Sequence, residues 1–327
     1  MMSESETPNY QAIPVSEITK RCWFLAGATA SGKSAVSIEL ANRINAEIIS
    51  MDSMAIYRLM DVGTAKPNSE QRAVVAHHLI DIVNPDEMFS TSRYHEMAHA
   101  AVTEIWSRGK EVLFVGGTAL YLKAILRGLF QGPAADWDFR KEIEADLEEF
   151  GDEYLHQRLS LVDPVSAHNL HPNDQRRIIR ALEVFKITGK PLSHLQMEFD
   201  QSSAEEDCRV FALRHARPIL HQRIEQRVTT MFEKGLLDEV TQIRQKFETL
   251  SRTAAQAVGY KEAMEHLDGR MSMEEAIERM RVRTRRFARH QETWFRGLTE
   301  CRMVDLDDEF DTSRTVDRLL ELAKTAS

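Results

Sequence analysis

The chain has 327 residues, 43% hydrophobic and 28% charged, an ordinary soluble composition long enough for one large or two smaller domains. No apolar run reaches membrane-spanning length, which argues against an integral membrane protein. The formal charge of −9 weighs against a uniformly basic nucleic-acid binder, though a net charge averages over local runs.

Residues 1–20, "MMSESETPNYQAIPVSEITK", are polar, lack the apolar segment of a signal peptide and read as a flexible tail. "CWFLAG" is a short apolar strand ending in Gly27. "GKSAVSIELANRI" has helical spacing, with Val36, Leu40 and Ile44 on one face. "AEIIS" predicts a second strand that stops just before Asp52, and "HHLIDIV" a third. "STSRYHEMAHAAVTEIWSRG" predicts a helix capped by Ser90 or Thr91 and ended by Gly109. "EVLFVGG" is a fourth strand. Strands alternating with helices predict an α/β fold, a parallel sheet with helices on both faces and ligands beyond the carboxyl ends of its strands.

From about Gly132 to Met197 the strand signals stop, and "DWDFRKEIEADLEEFGDEYLHQRL" and "DQRRIIRALEVFKITGK" predict an all-helical insertion. "DQSSAEED" reads as the linker out of it, and "CRVFALR" as a strand returning to the sheet. Pro218 opens a helix running to Gly235, Ser272 to Glu275 is a capping-box start, and "CRMVDL" predicts a last strand. The expected domains are thus a tail over 1–20, a discontinuous core over 21–130 and 206–315, and an insertion over 131–205.

Gly27, four residues, then Gly32-Lys33-Ser34 is a phosphate loop in its proper setting, strand before and helix after. Backbone N–H groups, a helix N-terminus and Lys33 favour a diphosphate or triphosphate, and the Ser34 hydroxyl suits Mg²⁺. The motif leaves open whether the phosphate is the group transferred or the group that leaves. The fourth strand ends in Gly116-Gly117-Thr118 without the acid that many nucleotide hydrolases carry on a strand. Asp52, after the second strand, lies at the ligand edge, where it could handle an acceptor nucleophile or merely cap a helix.

His95-Glu96-Met97-Ala98-His99 matches HExxH in form. The positions where a longer zinc motif continues hold Val102 and Ile105, so a solvated crossover-helix face without zinc is expected. Basic charge concentrates in "RMRVRTRRFARHQETWFR", Arg279 to Arg296, with seven arginines against Glu292, a local charge of +6. "RRIIR", Arg176 to Arg180, is a second cluster. Arginines interleaved with Trp294 and Phe295 suit a phosphate backbone with stacked bases, although charge runs are usually solvated faces. Cys22, Cys208 and Cys301 form no CxxC pair, which points to a reducing, cytoplasmic compartment. On these residues alone a small-molecule phosphate-loop kinase and a nucleotide-dependent RNA-binding protein both remain open.

Taken together, "GATASGKS", "DSMAIYRLMDVGTAKP", "HHLIDI", "VGGTALYLKAI", "HPNDQRRIIRALEVF", "TGKPLS", "AVGYKE" and "RHQETWFR" closely resemble the bacterial tRNA dimethylallyltransferase family, from about Phe24 to Arg296 and in the same order. The resemblance implies a prenyltransferase moving a dimethylallyl group from its diphosphate to N6 of the adenosine 3′-adjacent to the anticodon. The phosphate loop would then hold the leaving pyrophosphate. The implied catalytic residues are Asp52 as base, Thr118 across the site and Arg227. Gly27, Ala28, Thr29, Ala30, Ser31, Gly32, Lys33 and Ser34 would bind the diphosphate, with Mg²⁺ at Ser34. The resemblance further implies that the anticodon stem-loop meets Asp52, Ser53, Met54, Ala55 and Thr118 around the target base. Arg140, Arg176, Arg177 and Arg180 would meet it from the insertion, and Gln256, Gly259, Tyr260, Lys261, Arg289, Gln291 and Trp294 from the later helices. The implied partners are tRNA and dimethylallyl diphosphate, with no membrane and a monomeric enzyme. Ala55 stands where many relatives have Gln, Ala119 where many have Gly, and Arg176-Arg177 where many have Gln-Arg.

Overall fold

The structure is a computed structural model describing residues 13–129, 132–199, 208–307 and 309–324. The expected linker "DQSSAEED" and residues 1–12 of the expected tail lie outside the described residues. The chain forms two compact units, Met1–Leu126 with Ser203–Ser327, and Arg127–Ser202.

The first unit opens with α1 (Val15–Arg21) and β1 (Trp23–Gly27). Residues 15–20 were expected within a loose tail. They are helical instead, because Ile18 finds a buried place in the core. Next come α2 (Lys33–Ile44), β2 (Ala46–Met51), α3 (Ser69–Val74) and β3 (His77–His78). The third strand is two residues long, not the seven of "HHLIDIV". Leu79 and Asp81 adopt positive φ of 59° and 57°, which ends extended pairing. The chain then runs back beside residues 55–57 through Asp81 N–H to Ala55 O and Ile82 N–H to Ile56 O. Helix α4 (Thr91–Ser107) begins on Ser90, whose side chain accepts the Arg93 N–H, and β4 (Glu111–Gly116) and α5 (Ala119–Arg127) follow.

Among its described residues the second unit has helices and no strands: α6 (Trp137–Phe150), α7 (Asp152–Val162), α8 (Pro164–Asn169), α9 (Gln175–Thr188) and α10 (Leu192–Phe199). Its core holds Phe139, Ile143, Leu155, Leu159, Ile178 and Leu182. Glu183 is fully buried at its centre. It stays ionised because Arg140 grips it through two bonds of 2.7 and 2.8 Å, with Arg180 and the Asp136 N–H adding more, and together these hold its carboxyl below the usual range despite burial.

The chain re-enters the first unit with β5 (Arg209–Arg214), α11 (Arg217–Glu233), α12 (Leu236–Lys246), α13 (Arg252–Ala255), α14 (Tyr260–Leu267), α15 (Met273–Arg296), β6 (Arg302–Asp305) and α16 (Thr312–Lys324). All six strands pair in parallel in the order β3-β2-β4-β1-β5-β6. The central strands are apolar on both faces because helices cover both. Phe24 and Phe114 stack at 4.9 Å beneath α4 and α5, and burial of each such ring contributes roughly 1.5–3 kcal/mol. On the other face Leu25, Leu113 and Phe211 meet Val36 and Leu40 of α2 and Val316 and Leu319 of α16. The register fixes the site: Ala26 and Met51 both pair with Gly116, so β1, β2 and β4 end side by side.

Candidate active site

Three loops leave those aligned strand ends: the phosphate loop after β1, residues Asp52 to Ala55 after β2, and Gly117-Thr118 after β4. Together with α11 and α15 they line a cavity of about 1410 Å³. Thr29 to Ser34, Asp52, Ser53, Met54, Thr118, Arg227, Gln256, Tyr260 and Gln291 all border it, so most implied site residues meet in one place.

In the phosphate loop Gly32 has φ +91°, a conformation that favours glycine, and a Cβ there would come within 2.7 Å of the tip of the Phe310 ring. The Arg223 Nε–H donates to Ala30 O at 2.8 Å, and its guanidinium lies 5.2 Å over Phe310. Lys33 Nζ donates to Gly27 O at 2.9 Å and Ala28 O at 2.7 Å. Burial first, and Arg227 second, push its pKa down to about 7, with Asp52 opposing. Burial also lowers the Arg227 pKa, and Asp52 opposes that shift too. Asp52 is therefore the counter-charge to both cations. Its Oδ1 accepts the Met54 N–H at 2.8 Å and the Ala55 N–H at 3.3 Å, which pins the carboxylate at the cavity wall. Thr118 Oγ1 accepts the Ser53 N–H at 3.0 Å and lies 3.2 Å from Ser53 Oγ, joining the second loop to the third.

Several implied RNA-contact residues have protein partners. Tyr260 is buried, and its hydroxyl donates to Glu239. Gln291 is buried, with both ends of its amide bonded inside the protein. Ala55 is buried, and Gly259 packs on Met280. Arg140 and Arg180 serve Glu183. Arg176, Arg177, Lys261, Arg289 and Trp294 are exposed, although Arg177 also reaches Asp174, Lys261 reaches Glu265 and Arg176 is not without a partner. On α15 the arginines divide. Arg279, Arg281, Arg283 and Arg285 pair with Glu265, Glu278, Glu262 and Glu225 respectively, whereas Arg286, Arg289 and Arg296 have exposed side chains and no acidic partner among the described residues.

Three residues that sequence reasoning missed belong to the site. Arg223 lies one turn before Arg227 on α11, a spacing that "HQRIEQRV" displays. Phe287 lines the cavity and is 46% exposed, an aromatic inside the arginine run. Glu239 accepts the N–H groups of Asp61, Val62 and Gly63 at 2.9, 2.7 and 3.2 Å, holding the loop whose Thr64 O accepts from Arg227.

The HExxH helix face is not solvated as expected. His95 and His99 flank the buried Tyr94–Ala98 stripe and are half-buried, with their Nε2 atoms bonded to nothing among the described residues. Burial lowers both pKa values, His99 to about 4. No group of three or more His, Cys, Asp or Glu residues suited to a metal occurs among the described residues. No described helix is long and apolar enough to cross a membrane.

Comparison with known proteins narrows the chemistry. The IPP transferase family profile matches residues 55–298. A tRNA dimethylallyltransferase of Rhodopirellula baltica is 44% identical over 322 residues, 96% of each chain. That of Geobacter metallireducens is 42% identical over 292 residues, 89% of this chain and 94% of its own. Among solved structures, the full-length tRNA isopentenylpyrophosphate transferase of Bacillus halodurans superposes with TM-score 0.68 at 38% identity, covering 94% of this chain and 97% of that one. A eukaryotic dimethylallyltransferase acting on tRNA gives TM-score 0.75 at 28% identity, covering 93% and 80%.

Proposed function

The chain belongs to the IPP transferase family, and from that premise we propose that it transfers a dimethylallyl group from dimethylallyl diphosphate to N6 of the adenosine 3′-adjacent to the anticodon of tRNA, releasing pyrophosphate. It is a prenyltransferase that modifies tRNA. The observation that carries the finer reading is one cavity with Lys33 and Arg227 beside the phosphate loop and the Asp52 carboxylate facing them.

The adenine amine attacks C1 of the dimethylallyl group, the C1–O bond breaks, and its electron pair leaves with the pyrophosphate. Negative charge grows on that leaving group, and Lys33, Arg227 and Arg223 lie where cations lower the barrier. Asp52 accepts the proton that the amine sheds as it becomes cationic, an effect of roughly 10²–10⁴ in rate. Thr118 steadies the Ser53 side of the acceptor pocket.

The donor set also suits Mg²⁺. The exposed Ser34 hydroxyl at the first turn of α2 has no partner among the described residues, and with diphosphate oxygens and water it offers the hard oxygen ligands this ion takes. When bound, the ion neutralises diphosphate charge. Arg286, Arg289 and Arg296 suit RNA phosphates, and Phe287 and Trp294 suit an unstacked base. Arg176 and Arg177 are further candidates for RNA phosphate. The working unit is a monomer acting in the cytoplasm, where its substrate tRNA resides.

Incubation of the protein with an anticodon stem-loop and either dimethylallyl diphosphate or ATP tests this reading. Prenylated RNA with the first donor alone is the expected result. Phosphate transfer from ATP to a small acceptor, with no prenylation, would replace the reading with that of a kinase.

A further inference from the structure

Helix α15 buries one stripe, and that stripe reads Ala276, Met280, Thr284, Ala288, Gln291 and Phe295. An amide in such a stripe is costly unless both of its ends are bonded. Gln291 is 6% exposed, and both ends are bonded. Its Oε1 accepts the Thr29 N–H at 2.9 Å, and its Nε2 donates to Gly117 O at 2.8 Å. Thr29 belongs to the phosphate loop. Gly117 immediately precedes Thr118, which in turn holds the Ser53 N–H beside Asp52. The approach leaves no slack, because a Cβ on Gly117 would lie 2.3 Å from Nε2. A single side chain therefore bridges the phosphate loop and the loop that carries Thr118.

We propose that Gln291 is a positioning residue for prenyl transfer, setting the spacing between the diphosphate held by the phosphate loop and the base presented at Asp52 and Thr118. The inference rests on the transfer reaction proposed above. Displacement of one reactant by about 1 Å costs on the order of a hundredfold in rate, so a strut between the two loops acts on turnover more than on binding. Gln291→Glu preserves shape and the acceptor toward Thr29 but sets a carboxylate against the Gly117 carbonyl, pushing the loops apart. Gln291→Met keeps bulk and removes both bonds.

The test compares wild type, Gln291→Glu and Gln291→Met on dimethylallyl diphosphate and the anticodon stem-loop, recording kcat, both KM values, RNA affinity and melting temperature. The expected result is a fall in kcat of about a hundredfold in Gln291→Glu that exceeds any change in either KM or in RNA affinity. Pyrophosphate release beyond prenyl incorporation would accompany it, because water takes the place of a base that is out of register. In that side reaction the water oxygen bonds C1, the C1–O bond to pyrophosphate breaks and the proton goes to solvent. Gly117→Ala presses on the same amide from the other side and must give the same signature, so it decides the matter if the Gln291 variants do not fold. Wild-type kcat in folded variants overturns the proposal, as does a loss confined to RNA affinity, which would make Gln291 an RNA contact. If wild type itself prenylates no RNA, the reaction reading falls and this inference falls with it.

Discussion

Lys33 offers a pH test of the grip proposed for the diphosphate donor. Its ammonium sits on the phosphate-loop carbonyls, and burial together with Arg227 brings its pKa from 10.5 to about 7. That displacement corresponds to about 5 kcal/mol between the charged and neutral forms, and a bound diphosphate returns much of it by restoring the charge. In the free enzyme the useful, charged form halves at about pH 7. Log kcat/KM for dimethylallyl diphosphate, which reports the free enzyme, is therefore expected to fall above pH 7 toward a slope of −1, about tenfold per unit. Lys33→Arg keeps the charge at every pH and shares the substrate's own ionisation, so the difference between the two profiles isolates Lys33. Calorimetry at pH 8 in two buffers of different ionisation enthalpy should show proton uptake approaching one per diphosphate in wild type and none in Lys33→Arg. Stability of the unliganded protein moves the opposite way. Below about pH 7 folded and unfolded chains both carry the proton and the folded state bears the full penalty. Between about 7 and 10.5 only the unfolded chain holds it, so stability rises with pH. Superimposable profiles for wild type and Lys33→Arg above pH 7 would refute this reasoning.

Asp52→Ala should reduce turnover by roughly 10²–10⁴, a loss that exceeds any change in diphosphate or RNA affinity, as single-turnover and binding measurements would show. Arg286→Ala should lower the log–log salt slope of RNA binding by about 0.7–0.9 per lost phosphate contact, whereas Arg283→Ala, which leaves the buried Glu262 with the Gly259 N–H but no cation, should lower the melting temperature instead. Glu239→Ala leaves three backbone N–H groups and the Tyr260 hydroxyl without their acceptor, for a loss of roughly 1–3 kcal/mol, and raises KM for the diphosphate by loosening the loop that bonds Arg227; calorimetric unfolding and steady-state kinetics check the two halves.

What the sequence made legible is what local pattern encodes. The phosphate loop has its strand and helix, Asp52 falls one residue after an apolar strand, and capping residues mark the starts of α4 and α15. Less legible were features settled by distant partners. Helical spacing puts Gln291 on the stripe of Ala288 and Phe295, but nothing local says what its amide bonds to; its partners lie 262 and 174 positions away. Glu239 looks like a surface helix residue until its loop, some 177 positions earlier, folds onto it. The resemblance implies Arg140 and Arg180 as RNA contacts, and nothing local shows that both also bind a buried glutamate, distant along the chain from Arg140 and one turn from Arg180. "HHLIDIV" is apolar enough for a strand but turns after two residues because the chain must return alongside residues 55–57.

The central claim is that carbon moves and phosphorus leaves. Dimethylallyl diphosphate labelled with radiocarbon at C1 and radiophosphorus in the diphosphate, turned over on full-length tRNA, tests it directly. The account predicts radiocarbon in the RNA, located by nucleoside digestion at N6 of the adenosine following the anticodon, and an equal amount of radiophosphorus released as pyrophosphate. Radiophosphorus in the RNA, or radiocarbon on any other nucleoside, would contradict it.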